Sequence, residues 1–95
     1  MSYLKELGFE EETIKNLENN IPKLAIRQLE ENKDTVTANI NNLKELGVTN
    51  YIDAFVKFYN MFLIDTKTFD DIFSKYDRED LISKLEKNVA IMEYL

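Results

Sequence analysis

The chain has 95 residues, 44% of them hydrophobic and 32% charged, with a formal net charge of −6 and neither cysteine nor histidine. That length and balance suit one folded domain, and the missing residue types exclude disulfides, thiolate and imidazole metal ligands, thiol nucleophiles and the commonest general base near neutral pH. Two glycines and one proline are too few for a fold rich in hairpins, so helices joined by short connections are expected.

Taken in chain order, the pattern predicts helices over residues 3–7, 10–20, 28–46, 49–59, 66–75 and 78–88, with short helical turns near 22–26, 61–64 and 89–94. The first helix carries LKELGF at residues 4–9, and the same phrase returns as LKELGV at 43–48. Gly8 and Gly47 stand where a chain turns left-handed past a helix end, each followed by an apolar residue, Phe9 or Val48, placed to pack back on the helix. Pro22 suits the first turn of a new helical segment. Leu29, Val36, Ile40, Leu43 and Leu46 form a stripe along 28–46, interrupted by Lys33 where an apolar residue is expected. Asp77 reads as the N-cap of the last long helix, with Asp80 as the acidic partner of a capping box.

A second duplication is longer. TIKNLENNIPKLAI (13–26), YIDAFVKFYNMFLI (51–64) and LISKLEKNVAIMEY (81–94) align without gaps at offsets of 38 and 30. Their apolar positions superimpose: Ile14, Ile52 and Ile82; Leu17, Phe55 and Leu85; Ile21, Tyr59 and Val89; Leu24, Phe62 and Met92. Self-similarity at this period is the mark of a helical repeat array, in which one unit cannot bury its stripe alone but stacked units share a core. The expectation is an all-α, short helical-repeat solenoid of about three units, each a helix pair plus a short helical turn. It forms one domain over residues 1–95, with repeats at about 3–27, 42–65 and 72–95. The middle copy is the least charged and the outer ones are more polar, as the ends of a stack require.

The residues Leu4, Leu7, Gly8, Phe9, Ile14, Leu17, Pro22 and Leu24, then Leu43, Leu46, Gly47, Val48 and Ile52, follow the pattern L-x-x-L-G-[FV], an isoleucine a few residues on, and a proline opening a short turn. This pattern resembles the mitochondrial transcription termination factor family. The resemblance implies repeats of two helices and a short third, stacked into a superhelix, and a role in binding nucleic acid through a basic concave groove. The third copy departs from it, with Tyr76-Asp77 where Leu-Gly would stand.

The charge is distributed as −3 over residues 1–32, zero over 33–64 and −3 over 65–95, so no segment is basic. Affinity for phosphate backbones comes from clustered Lys and Arg. Lys23 with Arg27 is the nearest approach to a cluster, and Glu18, Glu30 and Glu31 flank it. Paired carboxylates such as Asp70 with Asp71 read as solvated faces. The run from Asp65 puts Lys67 and Phe69 where a calcium loop needs ligands. With two isolated glycines there is no phosphate loop, and the three serines have no histidine to activate them. No enzymatic activity, cofactor or metal is therefore expected.

Eight of the eleven aromatic residues lie between Tyr51 and Tyr76. They read as the core of the central repeat, as a protein-binding surface, or as a platform for stacking bases, which would ordinarily sit in a basic groove. Tyr51, Phe58, Tyr59, Phe69 and Tyr76 are the candidate partner-binding residues. The expected function is a non-catalytic interaction module that binds a protein partner or self-associates. Nucleic-acid binding, as the family resemblance implies, is the alternative, and it is disfavoured by net charge. The longest uncharged apolar stretch, Met61–Ile64, is far too short to span a bilayer and the N-terminal residues have no signal-peptide pattern, so neither a membrane nor export is expected and a cytoplasmic location follows by default.

Overall fold

The first turn of the chain is set by a glycine. Residues Ser2–Leu7 wind as a 3-10 helix (η1) that ends at Gly8, whose φ of 101° lies in the left-handed region. The Phe9 amide then reaches back to the Leu4 carbonyl and the Gly8 amide to that of Lys5, the paired bonds that close a left-handed helix end. Gly47 repeats the device at the end of the helix Lys33–Leu46, with φ 96° and bonds from Val48 to Leu43 and from Gly47 to Lys44. Phe9 and Val48 are both buried behind these turns.

The computed structural model describes all 95 residues, and every regular element is helical. After η1 come α1 (Glu11–Asn20), α2 (Lys23–Glu31), α3 (Lys33–Leu46), α4 (Tyr51–Phe58), the 3-10 helix η2 (Tyr59–Leu63), α5 (Thr66–Ser74), α6 (Arg78–Lys87) and the 3-10 helix η3 (Val89–Tyr94). Helix α3 is the hub, packing against η1, α2, α4, η2 and α5, while η3 packs on both α4 and α6. The radius of gyration is 12.8 Å, against about 12 Å expected for a globular chain of this length. One apolar cluster draws on every helix, from Leu4 to Met92. A row of rings runs through it: Phe9 meets Phe55 at 5.4 Å, Phe55 meets Phe62 at 5.1 Å, Phe62 meets Phe69 at 5.4 Å and Phe69 meets Phe73 at 4.7 Å. Aromatic pairs at such spacings add to the stabilisation from burial alone.

Three expectations need correction. The stretch 28–46 is not one helix: it breaks at Asn32, whose backbone (φ −106°, ψ 29°) leaves the helical region just before Lys33 interrupts the stripe. The short turn expected at 22–26 is the start of the nine-residue α2, with extended Pro22 before its first residue. That change in winding also moves Leu24. Its counterparts Phe62 and Met92 lie in 3-10 helices and are wholly buried, whereas Leu24 lies in an α-helix and is 61% exposed. An α-helix turns about 100° per residue and a 3-10 helix about 120°, so in α2 the inward positions fall to Ala25 and Leu29 instead. At Asp77 the N-cap expectation holds, its carboxylate accepting the Asp80 amide at 3.1 Å. The reciprocal half does not form, because the Asp80 carboxylate pairs with Lys84 at 2.9 Å.

Helix ends leave carbonyls without partners inside the helix, and here distant side chains take several of them. The Tyr51 hydroxyl donates to the Leu7 carbonyl at 2.8 Å, and Lys44 reaches the same oxygen at 3.3 Å. The Arg78 guanidinium donates to the carbonyls of Leu46 (2.8 Å) and Glu45 (3.0 Å). Tyr3 holds Leu29 at 2.8 Å, Asn50 holds Leu85 at 2.9 Å, and the wholly buried Asn39 holds both Phe62 and Ile64 at 2.9 and 2.8 Å. Burial pushes the Tyr3 phenol up to about 12, with the Glu30 carboxylate adding to the effect, so it remains a donor through the ordinary pH range.

The two glycine turns are not equally tolerant. A Cβ on Gly8 would come within 2.5 Å of the Tyr51 hydroxyl, whereas one on Gly47 would meet Ile82 Cδ1 at an ordinary 3.4 Å. Both alanine replacements should lose about 1 kcal/mol or more from the left-handed backbone. Gly8→Ala should lose more, because it also displaces the hydroxyl that holds Leu7. Denaturant melts of Gly8→Ala, Gly47→Ala and Gly8→Ala with Tyr51→Phe test this. The double variant should recover part of the excess loss at Gly8.

Candidate interaction surface

A groove with largely apolar walls forms where η2 joins α4 to α5. Phe58 at the end of α4, Met61 within η2 and Ile64 just after it all line this groove, while Phe62 turns into the core. Helix α4 stops where Phe58 leaves helical geometry (φ −132°, ψ 42°). Ile64 is extended, and Asp65 starts α5 by accepting the Thr68 amide. The lining is completed by Ile72 of α5 and by Met92 and Leu95 at the end of the chain, with Lys57, Asn60 and Glu93 as the polar members of a groove of about 530 Å³. Methionine adapts its shape to irregular apolar partners, and a groove of this kind accepts the apolar face of a helix.

The five aromatic candidates do not form one surface. Phe69 is wholly buried, in the row of rings between Phe62 and Phe73; it is a core residue, and its assignment to a partner surface is corrected. Tyr51 is half-buried, its hydroxyl spent on Leu7 and its ring beneath the Lys44 ammonium at 5.4 Å. Phe58 lines the apolar groove and Tyr59 is half-buried beside it in sequence. Tyr76 is 41% exposed and lines a different cleft, formed by α3, α5 and α6. The groove residues Met61, Ile64, Ile72, Met92 and Leu95 were not read from the sequence. The available signal was the spacing 58, 61, 64, whose meaning depends on where α4 gives way to η2 and where η2 ends.

Several cations are already engaged. Lys5 pairs with Glu11, Lys57 with Asp53 and Lys84 with Asp80, while Lys44 and Arg78 bond helix-end carbonyls. Lys33 lies over the Tyr3 ring at 5.8 Å. No group of three His, Cys, Asp or Glu side chains is placed to hold a metal ion, and no helix is long and apolar enough to cross a membrane. No protein-family model matches the chain, and neither does any curated protein or solved structure.

Proposed function

We propose that this chain is a non-catalytic interaction module of three stacked helical units that binds a protein partner through the groove of Phe58, Met61, Ile64 and Ile72. The observation that carries the reading is the groove itself: contiguous apolar side chains, half-buried Met61 among them, on a chain whose net charge is −6. A half-buried apolar groove suits the apolar side chains of a protein partner. The stacked-unit reading is supported by the two matched corners, in each of which a Leu carbonyl before a left-handed glycine is held by the first residue of a helix in the next unit, Tyr51 of α4 or Arg78 of α6. The acidic balance favours a partner with a basic face.

The test compares wild type with Met61→Lys, a half-exposed position whose change should leave the fold intact, as circular dichroism would verify. Sedimentation equilibrium reads self-association. Affinity capture from native lysate, with and without nuclease, reads partners. A nuclease-resistant protein that is captured by wild type and lost with Met61→Lys supports the reading, as does a dimer lost in the same variant. Nucleic-acid binding of the kind the family resemblance implies needs several cations on one face, and it weakens steeply with salt. Salt-sensitive micromolar binding to duplex or single-stranded probes, unaffected by Met61→Lys, would overturn it in favour of that alternative.

A further inference from the structure

The two glycine corners are built from matching positions, yet they are filled differently. At the first, the Phe9 ring stands edge-on to Phe55 (5.4 Å, 87°) and to Tyr51 (6.3 Å, 68°), and the Tyr51 hydroxyl closes the corner on the Leu7 carbonyl. At the second, the residue matching Phe9 is Val48, and the residues matching Tyr51 and Phe55 are Leu81 and Leu85. Three rings have become three aliphatic side chains. The hydroxyl is replaced by the Arg78 guanidinium, which reaches the Leu46 and Glu45 carbonyls from the start of α6.

The second corner is accordingly not filled. A cleft of about 270 Å³ opens there, walled by Leu46, Val48, Phe73, Leu81 and Ile82, with Arg78 and Tyr76 as its main polar members. Arg78 forms no ion pair with any carboxylate, and its Nη1 makes no hydrogen bond within the protein. Two of the nearby carboxylates have other duties: Asp77 accepts the Asp80 amide and Asp80 pairs with Lys84. The corner thus combines missing ring volume with a guanidinium that has donors to spare, a group whose fork matches a carboxylate.

We propose that this cleft binds a small aromatic carboxylate, its ring in the space that Phe9 and Tyr51 fill at the first corner and its carboxylate on Arg78. The site is separate from the apolar groove and does not depend on what that groove binds. A ligand of about ten heavy atoms in so small a cleft should bind with a dissociation constant near the millimolar range.

The experiment is a titration of isotopically labelled protein with phenylacetate, followed by amide chemical shifts, with phenylacetamide and acetate as the neutral and ringless controls. Saturable shifts centred on Gly47, Val48, Leu81 and Ile82, with phenylacetamide and acetate each weaker by about tenfold, are expected. Val48→Phe, which restores a ring to the corner, should abolish the response while preserving the fold. Tyr76→Phe should change it little, and Arg78→Gln should remove the preference for phenylacetate over its amide. Should Arg78→Gln fail to fold, Val48→Phe alone decides the matter. The absence of saturable shifts, equal response to the neutral amide, shifts centred elsewhere, or an undiminished response in folded Val48→Phe would each overturn the proposal.

Discussion

Phe55→Ala should lose about 3–5 kcal/mol of stability, the range for truncating a buried aromatic residue. Phe55 is wholly buried, and its ring contacts those of both Phe9 and Phe62, so its removal opens a void and cuts Phe9 off from the rest of the row of rings. In a domain this size each kcal/mol shifts the melting temperature by about 4–8 °C, so the variant should be largely unfolded at physiological temperature. Leu24→Ala is the matched control. Leu24 occupies a corresponding stripe position to Phe62 but is 61% exposed, so its truncation should change stability by no more than about 0.5 kcal/mol. Equal losses in the two variants would mean that the stripe of the first copy is as buried as that of the second.

Asn39→Asp should be comparably severe, and its severity should depend on pH. The Asn39 amide donates to the Phe62 and Ile64 carbonyls from a wholly buried position, which fixes its nitrogen toward two acceptors. Its oxygen accepts no bond. A carboxylate there would face two carbonyl oxygens with no donor, and a buried uncompensated charge costs about 3–5 kcal/mol. Burial raises the folded-state pKa of such a carboxyl above its unfolded value. The folded state then binds the extra proton, so the loss is greatest at neutral pH and shrinks as pH falls toward the unfolded value near about 4. Asn39→Ala carries no charge and should lose about 1–3 kcal/mol, from carbonyls left without donors, at any pH. Denaturant melts of the two variants at neutral and mildly acidic pH, each referred to wild type, separate the charge effect from the lost hydrogen bonds.

Local structure was legible wherever one residue type decides it. Gly8 and Gly47 announce left-handed turns because other residues resist that backbone, and Asp77 announces a helix start because its side chain can serve the first turn. The 3.6-residue stripe located Leu17, Phe55 and Leu85, all buried. What stayed hidden depends on winding or on partners far along the chain. Nothing in IPKLAI shows that it breaks at Ile21 and Pro22 and restarts as an α-helix where YNMFLI and VAIMEY wind tighter, and in that helix Ala25 and Leu29 rather than Leu24 face inward. Asn39 reads as an ordinary polar interruption, since its partners lie 23 and 25 residues away. The aromatic run was legible as a core, but choosing its surface members needed the burial of Phe69, which periodicity does not give. For the apolar groove only the spacing of Phe58, Met61 and Ile64 was on view, and for the cleft at the second corner only the substitution of Val48 and Leu81 for rings.

The bonds that hold the helix ends also bear on how the chain matures as it leaves the ribosome. The turn at Gly8 can form as soon as its own residues emerge, because its backbone bonds are local. The Leu7 carbonyl, however, waits for Tyr51, 44 residues later, and the Phe9 ring has no aromatic neighbour until Tyr51 and Phe55 have been made. Helix α3 can cover η1 earlier, but the hydroxyl and the ring contacts of this corner are missing until then. The earliest nascent segment able to complete its first corner therefore extends to Phe55, more than half of the sequence.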